Sequence, residues 1–367
     1  MTDGKPASSS CGCGETPTLR QPCCAPEGGG AGMPTVDPSL TPAGRTEIRT
    51  ATSEITRANR FDHFLARWGV NRMGHVVEPG LYRLGHPTPE SEVFVSANYS
   101  LSFDALRSAL AGRDAWILVL DTKGINVWCA AGKGTFGSDE LVRRIALTAL
   151  ANIVSHRRLI LPQLSAPGVS WPEVVRRSGF LVEYGPVRAR DLPAYLKDRK
   201  ATPAMRRVEF PLRDRAVLVP VELVTALPFM LVPVVALLFL GYLLFAAEVV
   251  LAVVAGTVLF PLLLPFIPTK DFSTKGLILG FLVMVPPALA GSGTSAPLGI
   301  ATAVATFLVF PPVTAYLALN FTGSTPFTSR TGVKKEIFRY IPVMAGMAVS
   351  GAVLAVAAGA LHLLGVI

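Results

Sequence analysis

Past residue 24 the chain has almost no cysteine. Cys129 stands alone, and the other four are Cys11, Cys13, Cys23 and Cys24. No Cys-x-x-Cys pair contains Cys129, which excludes a dithiol redox site there. The tail cysteines fit no zinc or iron–sulfur spacing, leaving reduced thiols or a soft metal ion as their readings. The first 60 residues lack the apolar core of a secretory signal, so a disulfide framework is not expected. Rich in Gly, Pro, Ser and Thr, they are expected to be disordered until about Arg60. Charge is also scarce, at 16% of residues against about 25% in ordinary soluble domains. The deficit lies almost wholly after Arg215. The net charge of +9 comes with no nucleic-acid-binding motif, which argues against a nucleic-acid partner.

Two parts follow from this division: an α/β domain at 61–205 and, after a basic linker at 206–215, a membrane part at 216–367. Strands are expected at Glu92–Asn98, Trp116–Leu120, Leu159–Leu161 and Phe180–Tyr184. Helices are expected at Ser102–Leu110, Ser138–His156, Pro172–Arg177 and Leu192–Asp198. Trp116–Leu120 is apolar without alternation, as a strand covered on both faces would be. Strands alternating with helices at this spacing predict a largely parallel, Rossmann-like sheet, whose ligands sit beyond the carboxyl ends of its strands. The stretch Lys123–Gly137, with Cys129 at its centre, follows such a strand.

The second part predicts five spans of about 20 residues. Arg206, Arg207, Arg213 and Arg215 precede the first. Lys270 and Lys275 lie between the second and third, and Arg330, Lys334, Lys335 and Arg339 between the fourth and fifth. The alternate loops, near Glu248 and at 291–296, carry no Lys or Arg. This pattern places the α/β domain in the cytoplasm and the C-terminus outside a cytoplasmic membrane. Only Glu248 and His362 are ionisable within reach of the apolar runs, and both are expected at span ends. An anchor is favoured over a transporter on that ground.

For Cys129 the residues leave several roles open: a small buried hydrophobe, a nucleophile, a disulfide partner or a metal ligand. His63, His75, His86 and His156 show no diagnostic spacing to it. A lone thiolate cannot close a zinc site, but it can give one axial bond to a metal already held by a macrocycle. Ala130, Ala131, Gly132 and Gly134 would let a flat cofactor approach the backbone. Gly132-Lys133-Gly134-Thr135 also invites a phosphate-binding reading, without the full loop spacing.

The octapeptide Asn126-Val127-Trp128-Cys129-Ala130-Ala131-Gly132-Lys133 resembles the cap-helix signature of the membrane-anchored corrinoid proteins of mercury methylation. The likeness extends to Pro79–Tyr82, Ser96–Tyr99, Leu118–Gly124, Leu161–Leu164, Ala166–Gly168 and Tyr184–Pro186. In the membrane half it includes Asn320–Gly323 and Thr331–Glu336. The soluble part is also similar to the corrinoid-binding domain of the corrinoid iron–sulfur protein of the acetyl-CoA pathway, without that protein's cluster cysteines. The Asp-x-His-x-x-Gly motif of another corrinoid class is absent.

The resemblance implies a Rossmann-like corrinoid-binding domain followed by a five-helix transmembrane domain, acting as a methyltransferase. A base-off corrinoid would have Cys129 as lower axial ligand of its cobalt and would lie against Asn126, Val127, Trp128, Cys129, Ala130, Ala131, Gly132 and Lys133. It would pass a methyl group from methylcobalt to inorganic Hg(II). The implied partners are a ferredoxin-like protein with two 4Fe–4S clusters as electron donor and a methyltetrahydrofolate-dependent methyl donor system. Two other readings stay open: a corrinoid methyl carrier with a different acceptor, and a membrane binding or transport protein without corrinoid.

Overall fold

The computed structural model describes residues 47–290, 296–324 and 330–366. Cys11, Cys13, Cys23 and Cys24 therefore lie outside the described residues, as does most of the 291–296 loop. The α/β domain comprises β1 (Ile48–Ala51), α1 (Arg57–Arg67), β2 (Gly80–Leu84), β3 (Val93–Ala97), α2 (Ser100–Ala109), β4 (Ala115–Leu120), α3 (Val127–Lys133), α4 (Ser138–Leu147), β5 (Arg158–Leu161), α5 (Trp171–Ser178), β6 (Leu181–Tyr184) and α6 (Leu192–Asp198). Its six strands form one sheet in the order β1-β2-β4-β3-β5-β6. Only the β2–β4 pair is antiparallel. β3 and β4 are buried throughout, as their unbroken apolar runs require when both faces are covered.

Order begins well before residue 60. β1 lies beside β2, and Thr56 caps α1 through a reciprocal pair with Asn59. A long-range anchor ties this segment down. The buried Arg107 guanidinium donates to the carbonyls of Thr52 and Glu54 and to Asn59, while Asp104 accepts from its Nε at 2.6 Å. The helix expected over Ser138–His156 ends at Leu147, because the Thr148 hydroxyl bonds back to the Arg144 carbonyl and Ala149 turns into the left-handed region.

Two short helices, α7 (Pro203–Arg206) and α8 (Leu212–Ala216), lead to the membrane half. There α9 (Val219–Phe239) and α10 (Leu243–Val254) are followed by a π-type turn at Ala255–Leu259 and by α11 (Phe260–Leu263). α12 (Phe272–Ala290), α13 (Ala296–Asn320) and α14 (Arg330–Leu363) complete the bundle. Among the described residues, five helical stretches are long and apolar enough to cross a membrane. Gly276 and Gly280 lie one turn apart on α12, where an added Cβ would come within 2.5 Å of Ala315 Cα and 2.6 Å of Pro311 Cα. Small residues at that spacing let two backbones approach without hydrophobic drive.

Two expectations change here. Residues 330–339, expected between the fourth and fifth spans, belong to α14, and the Glu336 carboxylate docks its start by accepting from the Ser273 N–H in the first turn of α12 at 2.5 Å. Glu248 lies near the start of its span, but inside the bundle. α10 begins at Leu243 and carries Glu248 into the bundle, where it is fully buried and accepts from the Thr306 hydroxyl.

The segment between α1 and β2 is pinned by a charged pair. His75 Nδ1 lies 2.6 Å from Asp62 Oδ1, and Nε2 lies 2.7 Å from the Val70 carbonyl. Carboxylate and carbonyl only accept, so both ring nitrogens donate and the ring is an imidazolium. Burial opposes that charge, yet the bonds to Asp62 and Val70 hold His75 above the usual histidine range. Burial also pushes Asp62 up, and the bonds from Ser100 and His75 outweigh it and bring the carboxyl below its usual range. A raised histidine stabilises fully below its unfolded pKa of about 6.5, and that support is lost as pH rises through the folded value. The lowered aspartate stabilises above about 3.9 and loses that support as pH falls. The pair thus supports the fold most between about pH 4 and 6.5. The thermal midpoint should fall more between about pH 6 and 8.5 in the wild type than in His75→Gln; equal falls would contradict the pairing.

Candidate functional site

The sheet reverses its winding between β3 and β5. β3 connects to β4 on one side, and β4 crosses back to β5 on the other. Such a switch point opens a crevice beyond the strand ends. Here β3 and β5 share a single registered pair, Phe94 with Ile160, and a cavity of about 390 Å³ opens beside it. Its walls are largely apolar: Phe94, Val95 and Leu106 on one side, Ile160, Leu161, Pro162 and Leu164 on another, and Pro186, Val187 and Leu192 below. Leu218, just before α9, closes one edge.

The fourth wall is the start of α3. Asn126, Val127, Trp128 and Cys129 line the cavity. Asn126 is the N-cap, and its side-chain oxygen accepts from the backbone N–H of Cys129 itself at 2.9 Å. The Cys129 thiol is free and partly exposed. Ala130 and Ala131 turn the other way and pack in the core beneath. Gly132 and Lys133 lie at the far end of α3, outside the cavity wall, with Lys133 exposed. The structure thus brings together the first four residues of the octapeptide and separates them from the last four.

What positions α3 was not apparent from the octapeptide. Asn98, at the end of β3 and only 5% exposed, turns its Oδ1 into the loop after β4. It accepts there from the Thr122 and Gly124 N–H groups, each at 3.0 Å. The Thr122 hydroxyl lies within bonding distance of both Asn98 Oδ1 and the Ile125 carbonyl. Glu140 accepts from the Asp121 N–H at 2.9 Å. From the other side, Gly168 presses on α3 so closely that an added Cβ would meet the Phe136 carbonyl oxygen at 2.3 Å and Ala131 Cα at 2.9 Å. Both residues fall within stretches that carry the resemblance, but nothing in their local pattern announces these contacts.

The wall also narrows the roles open to Cys129. No His, Asp, Glu, Lys or Arg lines the cavity. His63 bonds Asp104, His75 bonds Asp62, and His156 bonds the Ser91 carbonyl. A cysteine nucleophile with a neighbouring histidine base has no support in this arrangement. Asp139 and Glu140 in the first turn of α4 do not favour a phosphate beside 132–135. Among the described residues there is no group of three or more side chains able to hold a metal ion.

Residues 71–174 match the family described as CO dehydrogenase/acetyl-CoA synthase delta subunit. The chain is distantly related to the gamma and delta subunits of that complex. The acetyl-CoA decarbonylase/synthase complex subunit gamma of Methanopyrus kandleri is 33% identical over 123 residues, covering 33% of this chain and 26% of that protein. The subunit gamma of Archaeoglobus fulgidus is 35% identical over 92 residues, covering 24% and 20%. That of Methanothermobacter thermautotrophicus is 28% identical over 169 residues, covering 41% and 36%. The chain therefore spans 20–36% of the length of these relatives. The matched family segment contains Asn98, Thr122, all of α3 and Gly168, so the relation bears on the cavity wall itself.

Asn98→Ala would leave two loop N–H groups without an acceptor and should cost about 2 kcal/mol or more. Asn126→Ala, which removes only the cap, should cost about 1 kcal/mol. Denaturant unfolding of the purified full chain, followed by tryptophan fluorescence, measures both; the reverse order would contradict the assigned roles.

Proposed function

We propose that this chain is a membrane-bound corrinoid methyltransferase that delivers a methyl group to inorganic mercury(II). The observation that carries the reading is Cys129: one free, half-buried cysteine on the wall of a largely apolar cavity at the switch point of the sheet. A metal held by protein side chains alone needs three or four ligands, and the described residues gather none around this thiol. A single thiolate suits a metal whose other positions a macrocycle fills. The apolar walls suit the flat faces of such a ring, and the distant relation to the decarbonylase/synthase subunits supports the same cofactor.

When bound, the corrinoid supplies a cobalt centre that carries the methyl group. Cys129 is the residue that would hold the cobalt, through its sulfur. Asn126 fixes the Cys129 backbone, and Val127 and Trp128 form the adjoining surface. Ala130 and Ala131 brace α3 against the core, while Gly132 and Lys133 stand where only the outer edge of a large ligand would reach them. Axial ligands tune a bound metal, and an anionic sulfur donor raises its electron density. That favours an acceptor which takes an electron pair, as mercury(II) does. Electrons for resetting the cofactor would come from a ferredoxin-like partner with two 4Fe–4S clusters. The methyl group would come from a methyltetrahydrofolate-dependent system. The five long helices hold the protein in the cytoplasmic membrane, with the α/β domain inside and the C-terminus outside.

A second reading keeps the corrinoid and changes the acceptor; the relation to the decarbonylase/synthase subunits favours it. Methyl transfer from the loaded protein to mercury(II) and to a simple thiol, measured side by side, separates the two. Cys129→Ala should abolish methylmercury formation while circular dichroism and elution in detergent stay unchanged, and Cys129→Ser should recover little. Full activity in the alanine variant would overturn the axial-ligand assignment.

A further inference from the structure

The membrane half holds a buried acid that the methyl-transfer reading does not use. Glu248 is fully buried. Its Oε1 accepts from the Thr306 hydroxyl at 2.9 Å, but Oε2 is buried with no hydrogen-bond partner among the described residues. Beside it lies a cavity of about 100 Å³, room for a small ion or a few waters, whose polar wall is Glu248, Thr302 and Thr306. Leu244, Phe245, Pro287, Ala288, Leu298 and Ala303 complete it. The cavity thus lies where α10 begins, α12 ends and α13 begins, at the end of the bundle away from α8 and the α/β domain.

A buried carboxylate without a cation is costly, more so inside a membrane. No basic side chain lines this cavity. On the elements packed against α10, the other titratable groups lie elsewhere. Glu222 of α9 and Tyr316 of α13 line a different cavity, and Lys275 of α12 donates to the Leu264 and Ile267 carbonyls. One positive charge is therefore needed to neutralise the site, and a divalent ion would leave a net charge behind. The available donors are all oxygen: Oε2 of Glu248 and the lone pairs of two threonine hydroxyls, of which Thr302 donates its proton to the Gly299 carbonyl. Such a set suits a hard cation. We propose that Glu248, Thr302 and Thr306 form an intramembrane site for one monovalent cation, a proton or a sodium ion, reached from the membrane face opposite the α/β domain.

The test uses the full chain in detergent and the carbodiimide DCCD, which modifies protonated carboxyls in apolar surroundings. Mass spectrometry should find the adduct on Glu248, falling several-fold as the pH is raised. At fixed pH, suppression by sodium chloride but not by choline chloride identifies sodium as an occupant; indifference to both salts identifies the proton alone. Thermal midpoints provide the second measurement. Acid or sodium should raise the wild-type midpoint more than that of Glu248→Gln, and Thr306→Val should weaken the effect. The proposal is overturned if wild type and Glu248→Gln respond identically to pH and sodium and any labelling of Glu248 is indifferent to both.

Discussion

One side-chain oxygen decides where the chemistry of the α/β domain can sit. Oδ1 of Asn98 gathers the Thr122 and Gly124 N–H groups, and that loop delivers α3 across the switch point. Without it the chain leaving β4 would have buried donors unsatisfied and no fixed path. Asn126 then takes the Cys129 N–H, and Gly168 allows the opposite side of α3 to rest on neighbouring backbone. The thiol is held by backbone bonds and close packing, so the cavity keeps its shape without any polar network around the sulfur.

The same cavity is tied to the membrane half. Leu218 contributes to its wall, and Arg206 donates to Gln163, between the wall residues Pro162 and Leu164. Arg188 pairs with Asp214 at 2.6 Å at the start of α8. Arg215 reaches on to the Pro261 and Leu262 carbonyls of α11. A ligand bound in the cavity would therefore rest beside the chain that enters the first long helix. This arrangement favours a membrane part that does more than tether, and the buried Glu248 points the same way.

Much of the architecture was legible in the sequence because it rests on local pattern. The apolar run at Trp116–Leu120 became a fully buried strand, and Leu192–Asp198 is helical over the expected residues. Features that depend on long-range contacts were not legible. The early start of order at β1 rests on Arg107, more than fifty residues away. The antiparallel β2 is short and begins with glycine, and it carries no alternation of its own. At the site, Cys129 stood out because it is alone, and its neighbours Asn126 to Trp128 came with it. The determinants of its position, Asn98, Thr122 and Gly168, act on backbone groups of other segments, which no residue pattern displays. Burial of Glu248 likewise depends on where α10 starts against α13, which charge counting in loops does not reveal.

The central claim is a bond from the Cys129 sulfur to the cobalt of a bound corrinoid. Cobalt K-edge X-ray absorption of the anaerobically reconstituted full chain addresses it directly. The account predicts one sulfur neighbour of cobalt in the wild type, replaced by a nitrogen or oxygen neighbour, or by none, in Cys129→Ser. A spectrum with only nitrogen and oxygen neighbours in the wild type, or an unchanged sulfur signal in the variant, would contradict it.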